Sequence, residues 1–146
     1  MNDTHTKNSN KTDNTEDWPL ELSLAIVRLS TAFFLMIWAL DKIIGTGAAQ
    51  KTFSKYYMNV DESFVIILIG IAQLILILTF AGGLFKTFTY GIIMLMHTGS
   101  VLASIPRYMD PLARPNILFW AAIPVLGAMI LLFILRERDR FLTIGR

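Results

Sequence analysis

Arg28, Gln73, Tyr90, His97 and Ser100 are the side chains best placed to do chemistry away from water, because each stands inside a long apolar tract. A guanidinium within a membrane-spanning segment is costly, and by default it marks a functional site. Imidazole gains and loses a proton near neutrality. The Gln73 amide and the Tyr90 and Ser100 hydroxyls can both donate and accept hydrogen bonds. At about 1.5 Å per residue, Arg28 lies roughly 9 Å and Gln73 roughly 10 Å below the same ends of their helices, and His97 roughly 16 Å below. Arg28 and Gln73 are thereby expected at one depth, with His97 one to two turns beyond. Tyr90, His97 and Ser104 recur every seven residues and Ser100 follows His97 by three, so they share a helix face. Such a stripe is expected to face the interior of a helical bundle. This set can bind a membrane-soluble polar head group, or exchange a proton with one. The sequence has no recognisable nucleophile–base pair, phosphate loop or dinucleotide fingerprint.

Two further charges, Asp41 and Lys42, stand at the far end of the first tract. Adjacent helical residues point about 100° apart, so these two do not pair with each other. Lys42 comes fourteen residues after Arg28, which returns it to within about 40° of the same face. Each polar residue also has a plainer reading. Arg28 can snorkel to lipid phosphates, and Gln73 and His97 can serve as hydrogen-bonding groups between packed helices. Met94, Met96 and His97 raise the chemistry of copper ligation, but Met96 lies off the face shared by the other two. No metal site is expected.

The elements that must position these residues are apolar tracts. Ser63–Phe85, Thr87–Pro106 and Pro115–Leu135 contain no Asp, Glu, Lys or Arg, and Pro19–Ile44 is apolar apart from Arg28 and its terminal charges. Crossing a bilayer takes about 20 apolar residues, so each tract is long enough. The chain has 146 residues, 54% of them hydrophobic, with a mean hydropathy of +0.55. Its charges lie between the tracts, which is the pattern of a membrane protein rather than of a soluble core. The net charge of +2 comes with no basic patch, so a nucleic-acid partner is not expected. The absence of cysteine excludes disulfides and thiolate chemistry.

The expected fold is all-α: a four-helix transmembrane bundle of up-down topology, with helices at about 19–44, 63–80, 85–105 and 116–135. The membrane domain covers 18–140, between a disordered polar tail at 1–17 and a short tail at 141–146. Gly45-Thr46-Gly47 stops the first helix, and an interfacial segment with Lys51, Lys55, Tyr56 and Tyr57 follows. Ala81-Gly82-Gly83-Leu84 is a tight turn, Pro106–Pro115 forms a loop, and Pro124 is a kink site. A cleaved signal peptide is the rival reading of the first tract, but Asp41 and Lys42 would interrupt it before any small-residue cleavage site. With four spans the termini share a side. That side carries Lys7, Lys11, Lys86, Arg136, Arg138, Arg140 and Arg146, against Lys42, Lys51, Lys55, Arg107 and Arg114 opposite. The excess of positive charge implies cytoplasmic termini. With no carboxylate in the apolar interior, Arg28 is expected to take its counter-charge from lipid phosphate, a partner or an anionic ligand.

Arg28-Leu29-Ser30 through Phe33-Phe34-Leu35, followed by Trp38-Ala39-Leu40-Asp41-Lys42, resembles the first helix of the DoxX family of small four-helix bacterial membrane proteins. Gly70-Ile71-Ala72-Gln73-Leu74 running into Ala81-Gly82-Gly83-Leu84-Phe85-Lys86 is similar to the family's second helix and turn. The likeness covers about 20–140. It implies a multi-pass protein of the bacterial inner membrane and a role in membrane redox chemistry, as an oxidoreductase subunit facing quinone. Quinone is then the implied cofactor, and the implied partners are the lipid bilayer and a partner subunit or second copy. Gln73 departs from the family's usual glutamate, and an amide can hydrogen-bond but cannot carry a proton. The site residues under this reading are Arg28, Gln73, Tyr90, His97 and Ser100, in a pocket for a quinone or small anion. The alternative is a non-enzymatic scaffold or assembly subunit whose polar groups serve packing.

Overall fold

The computed structural model describes residues 17–44 and 62–144. The polar tail expected at 1–17 lies outside the described residues except for Asp17, as do the helix stop at Gly45 and the interfacial segment with its tyrosines. Among the described residues the protein is all-helical. In chain order the elements are α1 (Trp18–Ile44), α2 (Glu62–Ala81), α3 (Lys86–Ala103), the short α4 (Ile105–Tyr108), a 3₁₀ helix (Asn116–Ala121) and α5 (Ala122–Ile134).

Three stretches are long and apolar enough to cross a membrane: Trp18–Ile44, Phe64–Ala81 and Asn116–Ile134. The expected fourth, α3, has 18 residues but is diluted by Thr87, Thr89, Tyr90, His97, Thr98 and Ser100. Its buried side chains are Thr89, Tyr90, Ile93 and His97, while Thr87 and Ser100 stay exposed, so the expected polar stripe turns inward only in part.

The helix boundaries follow local chemistry. α2 closes in a Schellman motif: the Leu84 N–H donates to the Thr79 carbonyl at 3.0 Å and the Gly83 N–H to that of Phe80 at 2.9 Å. Gly83 takes φ 65°, the left-handed conformation this motif requires and glycine adopts without a Cβ penalty. The loop expected from Pro106 is partly helical, because proline is tolerated in the first turn of α4. The last apolar tract is not one α-helix. Pro124 sits in the first turn of α5, where its missing N–H breaks no bond within the helix that follows. The residues before it wind as the tighter 3₁₀ form. The junction stands where a kink was expected.

α1 packs on α2 and α5, and α3 packs on α2 and α5. The tightest approach is at Gly70, where a Cβ would stand 2.8 Å from Ile43 Cγ1 and 3.0 Å from Lys42 Cβ. This contact fixes the register of α1 against α2 and corrects the expected depths. Gln73 is level with the Lys42 half of α1. Arg28 lies fourteen residues back along α1, about 21 Å away, beside the turn that joins α2 to α3. Depths counted from the end of each helix agree only where those ends are level. α1, with 27 residues, overshoots α2, with 20, so those ends are not level.

Candidate functional site

The polar residues gather at two places. The first is the end of the molecule that holds the α2–α3 turn. Arg28 is completely buried and its Nη1 donates to Asp139 Oδ1 at 2.5 Å. Its Nη2 donates to the carbonyls of Phe141 at 2.9 Å and Leu142 at 3.0 Å. The Tyr90 hydroxyl donates to Asp139 Oδ2 at 2.7 Å, and Lys86 Nζ to the Asp139 carbonyl at 2.6 Å. Each oxygen of this buried carboxylate therefore has a donor, and one of the donors is a full positive charge. On the cation side, Arg28 Nε is buried without a partner among the described residues, so the pairing is complete for the carboxylate and not for the guanidinium.

The counter-charge of Arg28 is thus an aspartate of the chain itself, not a lipid, partner or ligand. Asp139 comes from the run Arg136–Arg140, whose arginines count in the sequence only toward the orientation of the chain. The segment after α5 instead folds back over the end of the helices. The Ile144 N–H donates to the Gly82 carbonyl at 2.8 Å. A Cβ on Gly83 would stand 2.6 Å from Thr143 Cγ2, so the fold-back demands glycine there for space as well as for φ. Arg138 pairs with Asp17 at the start of α1, and Arg136 Nε donates to Thr87 Oγ1 at 3.0 Å. Leu142 is held at φ 53°, which is unfavourable for a branched side chain, while its carbonyl and that of Phe141 meet the same guanidinium nitrogen. Residues 141–144 are therefore part of the helical unit rather than a tail.

The second place is a cavity of about 210 Å³ between α1, α2 and α3. Its polar lining is Lys42, Gln73, His97 and Ser100, and the rest is apolar: Leu35, Ile69, Leu76, Ile77, Ile93 and Met96. Of the five residues singled out from the sequence, Gln73, His97 and Ser100 meet here, and Arg28 and Tyr90 do not. Lys42 joins them from the far end of α1. Asp41, its neighbour, does not line the cavity.

The hydrogen bonds around this cavity are specific. His97 is buried, its ring edge-on to Phe34 at 6.3 Å between centroids. Its Nε2 lies 3.0 Å from the Ala122 carbonyl on α5. A carbonyl oxygen only accepts, so Nε2 carries the proton and donates. The Ser100 hydroxyl donates to the Met96 carbonyl at 3.2 Å, and Lys42 Nζ gives one proton to the Trp38 carbonyl at 3.1 Å. No cluster of three or more His, Cys, Asp or Glu suited to a metal ion occurs among the described residues.

Asp139 is the functional neighbour that sequence spacing could not supply, since it stands 111 positions from Arg28. The available signal was compositional. Asp139 sits among arginines directly before Phe141-Leu142, an apolar pair that has no reason to follow a purely solvated run. No protein-family model matches this chain, and neither does any curated protein or solved structure.

Proposed function

We propose that this chain is a multi-pass inner-membrane protein similar to the DoxX family, a four-helix up-down bundle with cytoplasmic termini. In this reading α3 is the fourth span, and the protein serves as a subunit of a membrane oxidoreductase. Its cavity between α1, α2 and α3 holds the head group of a quinone, or a small anion against Lys42. The observation that carries this reading is the cavity itself: a largely apolar recess, partly open beside the exposed Ile69, Met96 and Ser100, with a few convergent polar groups, the usual make-up of a small-molecule site. A void of about 150 Å³ accepts benzene, so 210 Å³ has room for one substituted six-membered ring. Lys42 and Gln73 offer donors to ring oxygens, and His97 offers a ring nitrogen. With no cysteine in the chain, electrons would come from a partner subunit.

The test is native mass spectrometry of the full chain extracted in mild detergent. A bound quinone, in its oxidised or its reduced form, is expected on the wild type and is expected to be lost from Lys42→Met and Gln73→Leu, each weakening retention about tenfold. Adduct-free wild-type protein, or equal retention in all three, would reject the quinone reading.

One observation favours the scaffold alternative. Cβ atoms placed on Gly99 and Gly127 would meet nothing within 4 Å, leaving flat places where another helix can approach closely. A stoichiometric protein partner without a small molecule in the same spectrum would select that reading.

A further inference from the structure

The walls of the α1–α2–α3 cavity differ in hydrogen-bonding sense, and this difference identifies its ligand more narrowly. On the α3 wall, His97 has committed its Nε2 proton to the Ala122 carbonyl. A neutral imidazole then has only the bare lone pair of Nδ1 left to offer, which is an acceptor. Ser100, three residues along the same face, has committed its proton to the Met96 carbonyl, so its oxygen too is left as an acceptor. On the α1 wall the sense is reversed. Lys42 gives one proton to Trp38 and has two more, with no acceptor capacity at all. Gln73, on α2, can serve either sense.

From this arrangement, and resting on the quinone-site reading above, we infer that the cavity selects the reduced, hydroxylated form of the ring: a hydroquinone or other phenol rather than the quinone. A phenolic hydroxyl donates to His97 Nδ1 or Ser100 Oγ, and the oxygen at the other end of the ring accepts from Lys42. A quinone has two acceptors only. Its carbonyl on the α3 side would face lone pairs, leaving polar groups in a largely apolar recess without partners. Sites built to pair with a hydroxyl reject analogues that lack one for this reason.

Equilibrium dialysis against the purified full chain in lipid nanodiscs tests the inference with three probes. They are a short-chain 1,4-benzoquinol kept reduced under anaerobic conditions, the corresponding quinone, and the dimethyl ether of the quinol. The quinol is expected to bind roughly tenfold more tightly than either of the others, the effect of one hydrogen bond. His97→Phe is expected to bring the three within about twofold of one another while ring binding persists. Ser100→Ala, a small change on a half-turn of helix that keeps its backbone bonds, is expected to narrow the preference about threefold. Equal binding of all three probes to the wild type, or tighter binding of the quinone, overturns this inference and leaves the quinone site standing. Failure of every probe to bind overturns both.

Discussion

Arg28 and Asp139 form a pair with no access to solvent, and the energetics of such pairs are asymmetric. Attraction roughly offsets the cost of desolvating both charges, but removing one partner strands the other and costs about 3–5 kcal/mol. Asp139→Asn keeps the shape and deletes the charge, so it is expected to lower stability by an amount near that range. Tyr90→Phe leaves the ion pair intact and removes one donor from the carboxylate, which is expected to cost about 1–2 kcal/mol. Thermal unfolding of the detergent-solubilised protein compares them, and a smaller loss in Asp139→Asn than in Tyr90→Phe would mean that the pair is not the main fastening of the segment. At this scale the sequence was half legible. A lone arginine in an apolar tract announces a need for a counter-charge by its cost alone, but the expected source lay outside the chain. The partner's identity did not follow, because it depends on how ten residues beyond α5 return across the end of the molecule, and side-chain periodicity says nothing about a segment without a period.

At the scale of elements, hydrophobic tract length found every long helix to within a few residues, since burial of backbone polar groups in lipid leaves little choice but helix. Register between helices was not legible. It is set by where two backbones can come closest, and Gly70 decides it by lying against Lys42 and Ile43. The tract after Pro115 was legible in length but not in form, because the 3₁₀ turn depends on Pro124 rather than on hydropathy. The glycines separate these roles experimentally. Gly70→Ala places a methyl 2.8 Å from Ile43 Cγ1 and 3.2 Å from the Ala39 carbonyl, so α1 and α2 must part. Overpacking of this kind costs about 1–3 kcal/mol. Gly99→Ala adds a methyl in open space and removes a flexible residue from a helix interior, and is expected to stabilise by about 0.5–1 kcal/mol. A thermal shift series on the two variants checks both signs. Destabilisation by Gly99→Ala would show that its open face is covered by another helix in the membrane.

For the whole molecule, both described extremities of the chain and the α2–α3 turn meet at one end, where Arg138 joins Asp17, Lys86 joins Asp139 and Ile144 joins Gly82. That end also carries Arg136 and Arg140. Cationic residues flanking apolar spans are retained on the cytoplasmic side during insertion, and carboxylates contribute little to that bias. Under the orientation proposed above, the same arginines have two separable roles: orienting the nascent chain, and then fastening the folded one. Arg140 is the informative member, being exposed, with its Nε given only to the nearby Glu137 carbonyl at 3.2 Å. A reporter fused after Arg146 is expected to register the cytoplasm in the wild type. Arg140→Gln alone should leave both orientation and stability unchanged. Arg136→Gln, Arg138→Gln and Arg140→Gln together should send a measurable fraction of chains to the opposite orientation, because the excess of seven cations over five on the sequence count is reversed to four against five. A reporter that signals only from outside the cytoplasm in the wild type would invert the molecule. The Arg28–Asp139 closure would then lie on the outer face, and the cavity at Lys42 in the inner half of the bilayer.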